Sequence, residues 1–501
     1  MENEFRKLFR HLFTKPKALL IRKEEGDGDT EPIIRSHPPT PDELALGWAE
    51  GKDEETGKEV FQLKAVPQAH RDAHFYVVGA TRSGKTKFLE SLIEQDIKNA
   101  VGFGVIDPHG DLTEEIKGYL YVLKKDAPEE LKERVVFIDP TDEISSVAFN
   151  PLERIAGESS ARVASELTEA FKKIWHDAWG ARMEHLLKNT LIALVENDLT
   201  LAELHPFLTD SLVRRKVLEK VKHTGCREYF ARFNSLRVNT QDEWMESTLN
   251  KVDAFLFDDS LRQMLSSSKS SFNLREIMDT GKILIVKLDK GRFKSNADLL
   301  GSLLLAKIQA AAFSRTDIPE SKRRRFYLYI DEFQNFATES FIGVLAEASK
   351  YKLALILAHQ NLAQLPAPLR AAILSNSGLQ AYFRISRDDA NVLAKESLAS
   401  IYASPPGWEE YIKTLQELRP RVCIVKSKIS GGVIAIQTID QPPPHELAEM
   451  DEDEFGRKVA ECEIGKKYLR ERKAIETESE RRKKKLLEVE EPETFAEPVE
   501  G

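Results

Sequence analysis

The stretch Gly79-Ala80-Thr81-Arg82-Ser83-Gly84-Lys85-Thr86 has the residue types and spacing to do chemistry on a phosphate. Its glycines let the backbone turn so that successive amide N–H groups face phosphate oxygens, with no Cβ in the way. Lys85 supplies a cation for the β- and γ-phosphates, and Thr86 a hydroxyl for Mg2+. The elements that must position these groups lie on either side. Phe75-Tyr76-Val77-Val78 reads as a buried strand, and Lys87 to Ile97 carries Phe88, Leu89, Leu92, Ile93 and Ile97 at helical spacing. The N-terminus of that helix adds its own partial positive charge. Strand, glycine loop and helix together make a phosphate-binding P-loop, so the chain is expected to bind a nucleoside triphosphate.

A second acidic site follows the apolar run Phe326-Tyr327-Leu328-Tyr329-Ile330, which ends in Asp331-Glu332. Such a strand end puts Asp331 at the Mg2+ and Glu332 where it can polarise an attacking water. Leu353 to Ala358 forms a further strand, ending at His359-Gln360, where the Gln360 amide can sense the γ-phosphate. Val101 to Ile106 is another, and it runs into Asp107-Pro108-His109-Gly110-Asp111-Leu112. In open α/β sheets ligands bind beyond the carboxyl ends of strands, which points Asp107 and His109 toward the nucleotide. Arg134 to Asp139 and Lys282 to Leu288 read the same way. This alternation of strands and helices predicts an α/β chain with a parallel, RecA-like P-loop NTPase sheet.

From Asn150-Pro151 to about Arg275 the strand signal vanishes. Ala161 to Phe171, Ala181 to Val195, Asp210 to Val221 and Gln241 to Phe255 are helical, which predicts an all-α domain inserted in the sheet domain. The expected organisation is therefore a basic segment and linker at 1–43 and a first motor part at 44–150, opening with a small hairpin. The inserted domain spans 151–275, a second motor part 276–440, and a charged helical, partly disordered tail 441–501. Residues 1–23 place Phe5, Leu8, Phe9, Leu12 and Phe13 at helical spacing beside Arg6, Lys7, Arg10 and Lys15. That helix either lies on an anionic membrane surface as a peripheral contact or packs on its own domain. The run Arg481-Arg482-Lys483-Lys484-Lys485 reads as a solvated arm.

At 501 residues, with 41% hydrophobic and 31% charged residues, the chain has the composition of a globular protein with ample core. The sequence shows no signal peptide and no apolar run of membrane-spanning length, and its three cysteines lack metal-ligand spacing. These features predict a cytoplasmic protein. Net charge is −9, so a nucleic-acid contact must come from a local basic lining.

The ordered set Gly79 to Thr86, Asp107-Pro108-His109-Gly110-Asp111, Trp179-Gly180-Ala181-Arg182, Asp331-Glu332-Phe333 and Gln360 resembles the HerA–FtsK superfamily. Within it the chain is most similar to the TraG/TraD conjugative coupling ATPases of type IV secretion. Asn376 to Glu396, with Phe383-Arg384-Ile385-Ser386-Arg387-Asp388-Asp389-Ala390, is similar to the same family's C-terminal motor region. The resemblance implies a homohexameric ring that binds ATP and Mg2+ at subunit boundaries and passes DNA through its centre. It implies that Lys85 and Thr86 bind phosphate and Mg2+, that Asp331 holds Mg2+ through water, that Glu332 is the general base, and that Gln360 is the sensor. Secretion-channel and relaxosome partners come with it, or a nuclease partner for a HerA-like duplex DNA motor. Family members carry N-terminal membrane spans, which this sequence does not show. Many also carry a trans-acting arginine where this chain has Ser349, followed by Lys350. Three explanations stand: Lys350 substitutes, Arg384 or Arg387 supplies the cation, or hydrolysis is slow. Lys287, Lys290, Arg292 and Lys294 are the candidate DNA contacts. An ATPase that assembles a secretion machine and moves no DNA is the reading from a different class.

Overall fold

The computed structural model describes residues 33–35, 39–52, 59–124, 127–155, 157–338, 341–395 and 405–488. The basic segment 1–23 and the end of the tail lie outside the described residues. Two compact units emerge. One comprises the chain up to Asp139 with Asn273–Tyr468, the other Pro140–Phe272 with the chain from Leu469. The strands, numbered in chain order, are β1 (Ile33–Arg35), β2 (Glu43–Lys52), β3 (Glu59–Pro67), β4 (Phe75–Val78), β5 (Gly102–Asp107), β6 (Val135–Ile138), β7 (Ser145–Val147), β8 (Ile283–Lys287), β9 (Phe326–Ile330), β10 (Leu353–His359), β11 (Leu379–Tyr382), β12 (Val422–Ser427), β13 (Val433–Thr438) and β14 (Leu469–Glu471).

In the first unit twelve strands form one sheet in the order β1-β3-β2-β13-β12-β11-β4-β10-β9-β5-β8-β6. From β11 to β6 all neighbours are parallel. Their carboxyl ends therefore share one edge of the sheet. β4, β5, β9 and β10 are buried along their whole length, as expected where helices cover both faces of a parallel sheet. The β2–β3 hairpin extends the sheet through the pairing of β2 with β13.

Beneath the sheet lies a buried charge pair. Arg71 and Asp96 are both fully buried and joined through Nη2–Oδ1, with a second bond from Nη1 to Oδ2 at 3.1 Å. Tyr329 closes the triangle, accepting from Arg71 Nη1 (2.8 Å) and donating to Asp96 Oδ2 (2.6 Å). The guanidinium also lies 3.6 Å from the ring centroid of Tyr327. Burial pulls the Arg71 pKa down, but Asp96 and the two tyrosines outweigh it and raise it. The network ties the helix Lys85–Lys98, which carries Asp96, to strand β9.

One helix, Ser295–Phe313 with its continuation to Asp317, meets a length-and-hydropathy test for crossing a membrane, against the sequence expectation that no run would. It is a core helix: 72% of its apolar window is buried, and Phe336 and Leu288 press on Gly301 at its centre. A helix apolar on all sides is one covered on all sides.

The second unit is helical, apart from the two-stranded antiparallel sheet β7–β14. The expected helices form as 160–174, 181–196, 211–219 and 238–256, joined by Thr224–Asn234, which the sequence reading passed over. The charged tail is helical, as expected, but the helix packs on this unit and is not a free solvated arm. Residues Arg472–Leu487 form a helix that buries Arg472, Ile475 and Ser479 within this unit. Arg472 donates to the carbonyls of Pro140 (3.0 Å), Asp142 (2.6 Å) and Ser260 (3.0 Å). Charge-rich composition hid this packing because arginines, not apolar residues, do most of the docking.

Candidate nucleotide site

The P-loop joins β4 to the helix Lys85–Lys98, whose cap Gly84 has φ +106. A side chain there would be strained and would meet the Arg421 backbone at 2.9 Å. Gly79 is equally hemmed in, since a Cβ would lie 2.4 Å from that of Phe383. The loop is thus held from outside: Ala80 N–H donates to the Arg384 carbonyl (2.8 Å), and Arg421 N–H to the Ser83 carbonyl (2.7 Å). Lys85 is buried and donates back to the Gly79 carbonyl, so its ammonium is held inside the loop it serves. Burial lowers its pKa, and Glu332 and then Asp331 pull it up again.

Parallel pairing of β4, β10 and β9 brings three motif ends to the same edge. Thr81 Oγ1 donates to Gln360 Oε1 (3.1 Å), and Gln360 Nε2 donates to Glu332 Oε1 (2.8 Å). Gln334 Nε2 occupies the other Glu332 oxygen (2.7 Å). A continuous chain therefore runs from the P-loop through Gln360 to Glu332. Glu332 also sits in the left-handed region at φ +46, a conformation worth about 1–3 kcal/mol of strain at a non-glycine residue and concentrated at functional sites. Beside it Asp331 is buried, and its pKa is pushed up to about 6 by burial, then by Glu332 and Asp107.

Among the described residues no cluster of three His, Cys, Asp or Glu could hold a metal by itself. Mg2+ takes one or two protein oxygens and completes its shell with water and nucleotide phosphates. Thr86 and Asp331 are the oxygen donors on offer.

Asp107 reaches this edge but is already engaged, accepting the amides of His109 (2.9 Å) and Thr113 (3.0 Å) in its own turn. His109 and Arg82 are exposed. Behind the carboxyl end of β10, Tyr76 OH and His359 Nε2 are 2.5 Å apart in a buried pair. Burial and then Lys85 hold the His359 pKa down at about 3, so the ring is neutral. Sequence reading missed Arg421, Phe383 and Tyr76 as parts of this wall. Phe383 lies in the block similar to the family's C-terminal motor region and Tyr76 in the P-loop strand, but nothing in the sequence placed either against the loop; Arg421 has no motif, and it adopts φ +68.

The three candidate trans-acting cations lie on different edges. Arg384 and Arg387 follow β11, on the same edge as the P-loop, and the Arg387 guanidinium is 3.5 Å from Glu409. Lys350 is exposed in the turn before β10, whose 7 residues separate it by about 23 Å from Gln360 at the strand's other end. Of the candidate DNA contacts, Lys287 pairs with Glu114 (2.9 Å) and Lys290 with Asp298 (2.9 Å). Arg292 and Lys294 are exposed and form no ion pair among the described residues. They belong to the short turn flanked by Asp289 and Lys294, both with positive φ.

Comparison with known proteins follows the same geometry. Residues 62–373 match the family described as the type IV secretion-system coupling protein DNA-binding domain. No curated protein sequence matches the chain. Among solved structures it is similar to the plasmid coupling protein TrwB in complex with the non-hydrolysable GTP analogue GDPNP. That match has TM-score 0.52 and 15% identity, over 75% of this chain and 88% of the other. TrwB with an ATP analogue aligns with TM-score 0.51 and 16% identity, over 75% and 87%. VirB4 of Thermoanaerobacter pseudethanolicus aligns with TM-score 0.54 and 14% identity, over 82% and 100%. At these identities the structural matches establish the shared RecA-like P-loop fold.

Proposed function

The chain belongs to the family of the type IV secretion-system coupling protein DNA-binding domain, and from that premise we propose that it is an ATP-driven DNA translocase. The observation that carries this reading is the hydrogen-bonded chain Thr81–Gln360–Glu332. It links the nucleotide loop to a buried carboxylate through a group able to register whether a γ-phosphate is present. ATP and Mg2+ are the cofactors, in keeping with the nucleotide complexes of TrwB. Bound Mg2+ neutralises charge on the β- and γ-phosphates. Gly79 to Thr86 cradle the phosphates, with Lys85 on the β/γ oxygens. Thr86 and Asp331 serve the cation, Asp331 through water. Glu332, oriented by the amides of Gln334 and Gln360, takes the proton of the attacking water. A change at the Gln360 amide on loss of the γ-phosphate passes through Thr81 to the loops at this edge.

A homohexamer suits a site completed by a neighbour. Lys350, about 23 Å from its own Gln360, cannot serve its own nucleotide and is the cation suited to act across a subunit boundary. Arg384 and Arg387, on the P-loop edge, suit contacts within the same site. Arg292 and Lys294 grip the DNA phosphate backbone irrespective of sequence. A secretion channel or relaxosome, in the cytoplasm at the membrane's inner face, is the setting this reading implies.

The net charge of −9 keeps a second reading: an ATPase that assembles a secretion machine and moves no DNA. Steady-state ATPase rates without nucleic acid, with single-stranded DNA and with duplex DNA separate the two. Stimulation by DNA that is lost in Glu332→Gln is expected, and duplex preference would favour a HerA-like motor with a nuclease partner. Hydrolysis indifferent to both DNAs would refute the translocase.

A further inference from the structure

The C-terminal helix Arg472–Leu487 is fixed in rotation by its inward residues. Arg482 binds Glu203 at 3.0 Å and the Ser266 carbonyl at 2.5 Å, while Glu478 accepts from Arg470 (3.0 Å) and from the Ser268 amide (3.2 Å). With Arg482 turned inward, Arg481, Lys484 and Lys485 fall at i, i+3 and i+4 on one outward face. Lys483 is exposed on the other flank of the helix, beside Lys484. The helix end is secured as well, since Lys216 Nζ binds the carbonyls of Leu486 (3.2 Å) and Glu488. Lys220, one turn on from Lys216, is exposed too.

Several helical cations elsewhere are paired along their helix, as in Lys87–Glu90, Lys98–Glu94, Arg134–Glu130, Arg162–Glu166 and Arg275–Asp279. Among the described residues, the side chains of Arg481, Lys483, Lys484, Lys485 and Lys220 form no ion pair or hydrogen bond. Like charges at these spacings cost about 0.2–0.5 kcal/mol per pair, and the neighbouring Glu480 and Glu488 form no ion pair with these lysines. In a chain of net charge −9, a rigidly presented cluster of unpaired cations fits an external polyanion.

We propose that this face of the C-terminal helix is a second DNA-contacting surface, outside the motor unit, binding phosphate backbone through Arg481, Lys483, Lys484 and Lys485. It rests on the DNA reading above and adds a site on the helical unit. Four cations on a fixed helix would each displace a condensed counterion, so the contact writes itself into the salt dependence of binding. The test uses the full chain and fluorescein-labelled DNA of about 30 nucleotides, single-stranded and duplex, titrated by anisotropy between roughly 50 and 300 mM salt. The variant carries Arg481→Gln, Lys483→Gln, Lys484→Gln and Lys485→Gln together, with thermal unfolding and basal ATPase as folding controls. Expected are weaker binding by about 10-fold or more and a log–log salt slope shallower by about 2–4, with basal ATPase unchanged. Wild-type binding matched by the variant in affinity and slope overturns the surface while leaving the DNA reading intact. Weaker binding with an unaltered slope overturns it too, because the loss would then not come from phosphate contacts. Absence of wild-type binding to either DNA overturns the DNA reading itself, and this surface with it.

Discussion

Asp96→Asn removes one charge from a pair that is completely buried on both sides, and almost no volume with it. Arg71 would keep its bonds to Gln68 (2.7 Å) and Tyr329 (2.8 Å), but its cation would have no counter-charge in a site closed to water. Breaking one partner of such a pair costs about 3–5 kcal/mol, because the remaining charge is stranded, whereas an apolar replacement of both is often close to neutral. Tyr329 donates to Asp96 Oδ2 at 2.6 Å, so the loss also loosens β9, the strand that ends in Asp331 and Glu332. The assay is urea unfolding followed by fluorescence of the buried Trp48 in the sheet unit, for wild type, Asp96→Asn, Arg71→Met and the double variant Arg71→Met/Asp96→Leu. Each single variant is expected to lose about 3–5 kcal/mol, and the double variant about 1 kcal/mol or less. A single-variant loss below about 1 kcal/mol, or a double variant as unstable as the sum of the singles, would refute the account of a coupled buried pair.

Other outcomes follow from the nucleotide site. Gln360→Ala removes a 2.8 Å bond to a carboxylate, worth about 1.5–3 kcal/mol, so kcat should fall about 10- to 100-fold with KM little changed; a change within about threefold would count against the relay. Asp331→Asn should stabilise the nucleotide-free protein at neutral pH. Folding raises the Asp331 pKa from 3.8 to about 6, so the folded state binds the extra proton, and wild-type stability declines as pH rises through that window. The variant's advantage, about 2–3 kcal/mol above pH 7, should vanish toward pH 4 in thermal scans without Mg2+. Lys350→Ala and Glu332→Gln chains, each inactive alone, should regain part of the ATPase rate when mixed, because a boundary can then unite an intact Glu332 with an intact Lys350. No recovery in verified mixed oligomers would sink the trans assignment.

The elements of the site were legible locally. Gly79 to Thr86, the apolar run before Asp331-Glu332 and the strand before Gln360 announce themselves because backbone turning, burial on both faces and strand termination are properties of adjacent residues. The sequence by itself therefore determined the fold class, the P-loop and the helical insertion. What it left undetermined depends on which strands become neighbours. Thr81, Gln360 and Glu332 meet because β4, β10 and β9 lie side by side, although 279 positions separate Thr81 from Gln360. Arg71 finds Tyr329 across 258 positions for the same reason, and Arg421 closes on Ser83 through β12, a strand with no nucleotide motif of its own. Lys350 looked equivalent to Arg384 and Arg387 until parallel pairing put it at the opposite end of its strand. The charged tail shows the limit most plainly. Composition separates apolar from polar faces, but Arg472 and Arg482 dock by donating to carbonyls and a carboxylate that only the folded helical unit brings within reach.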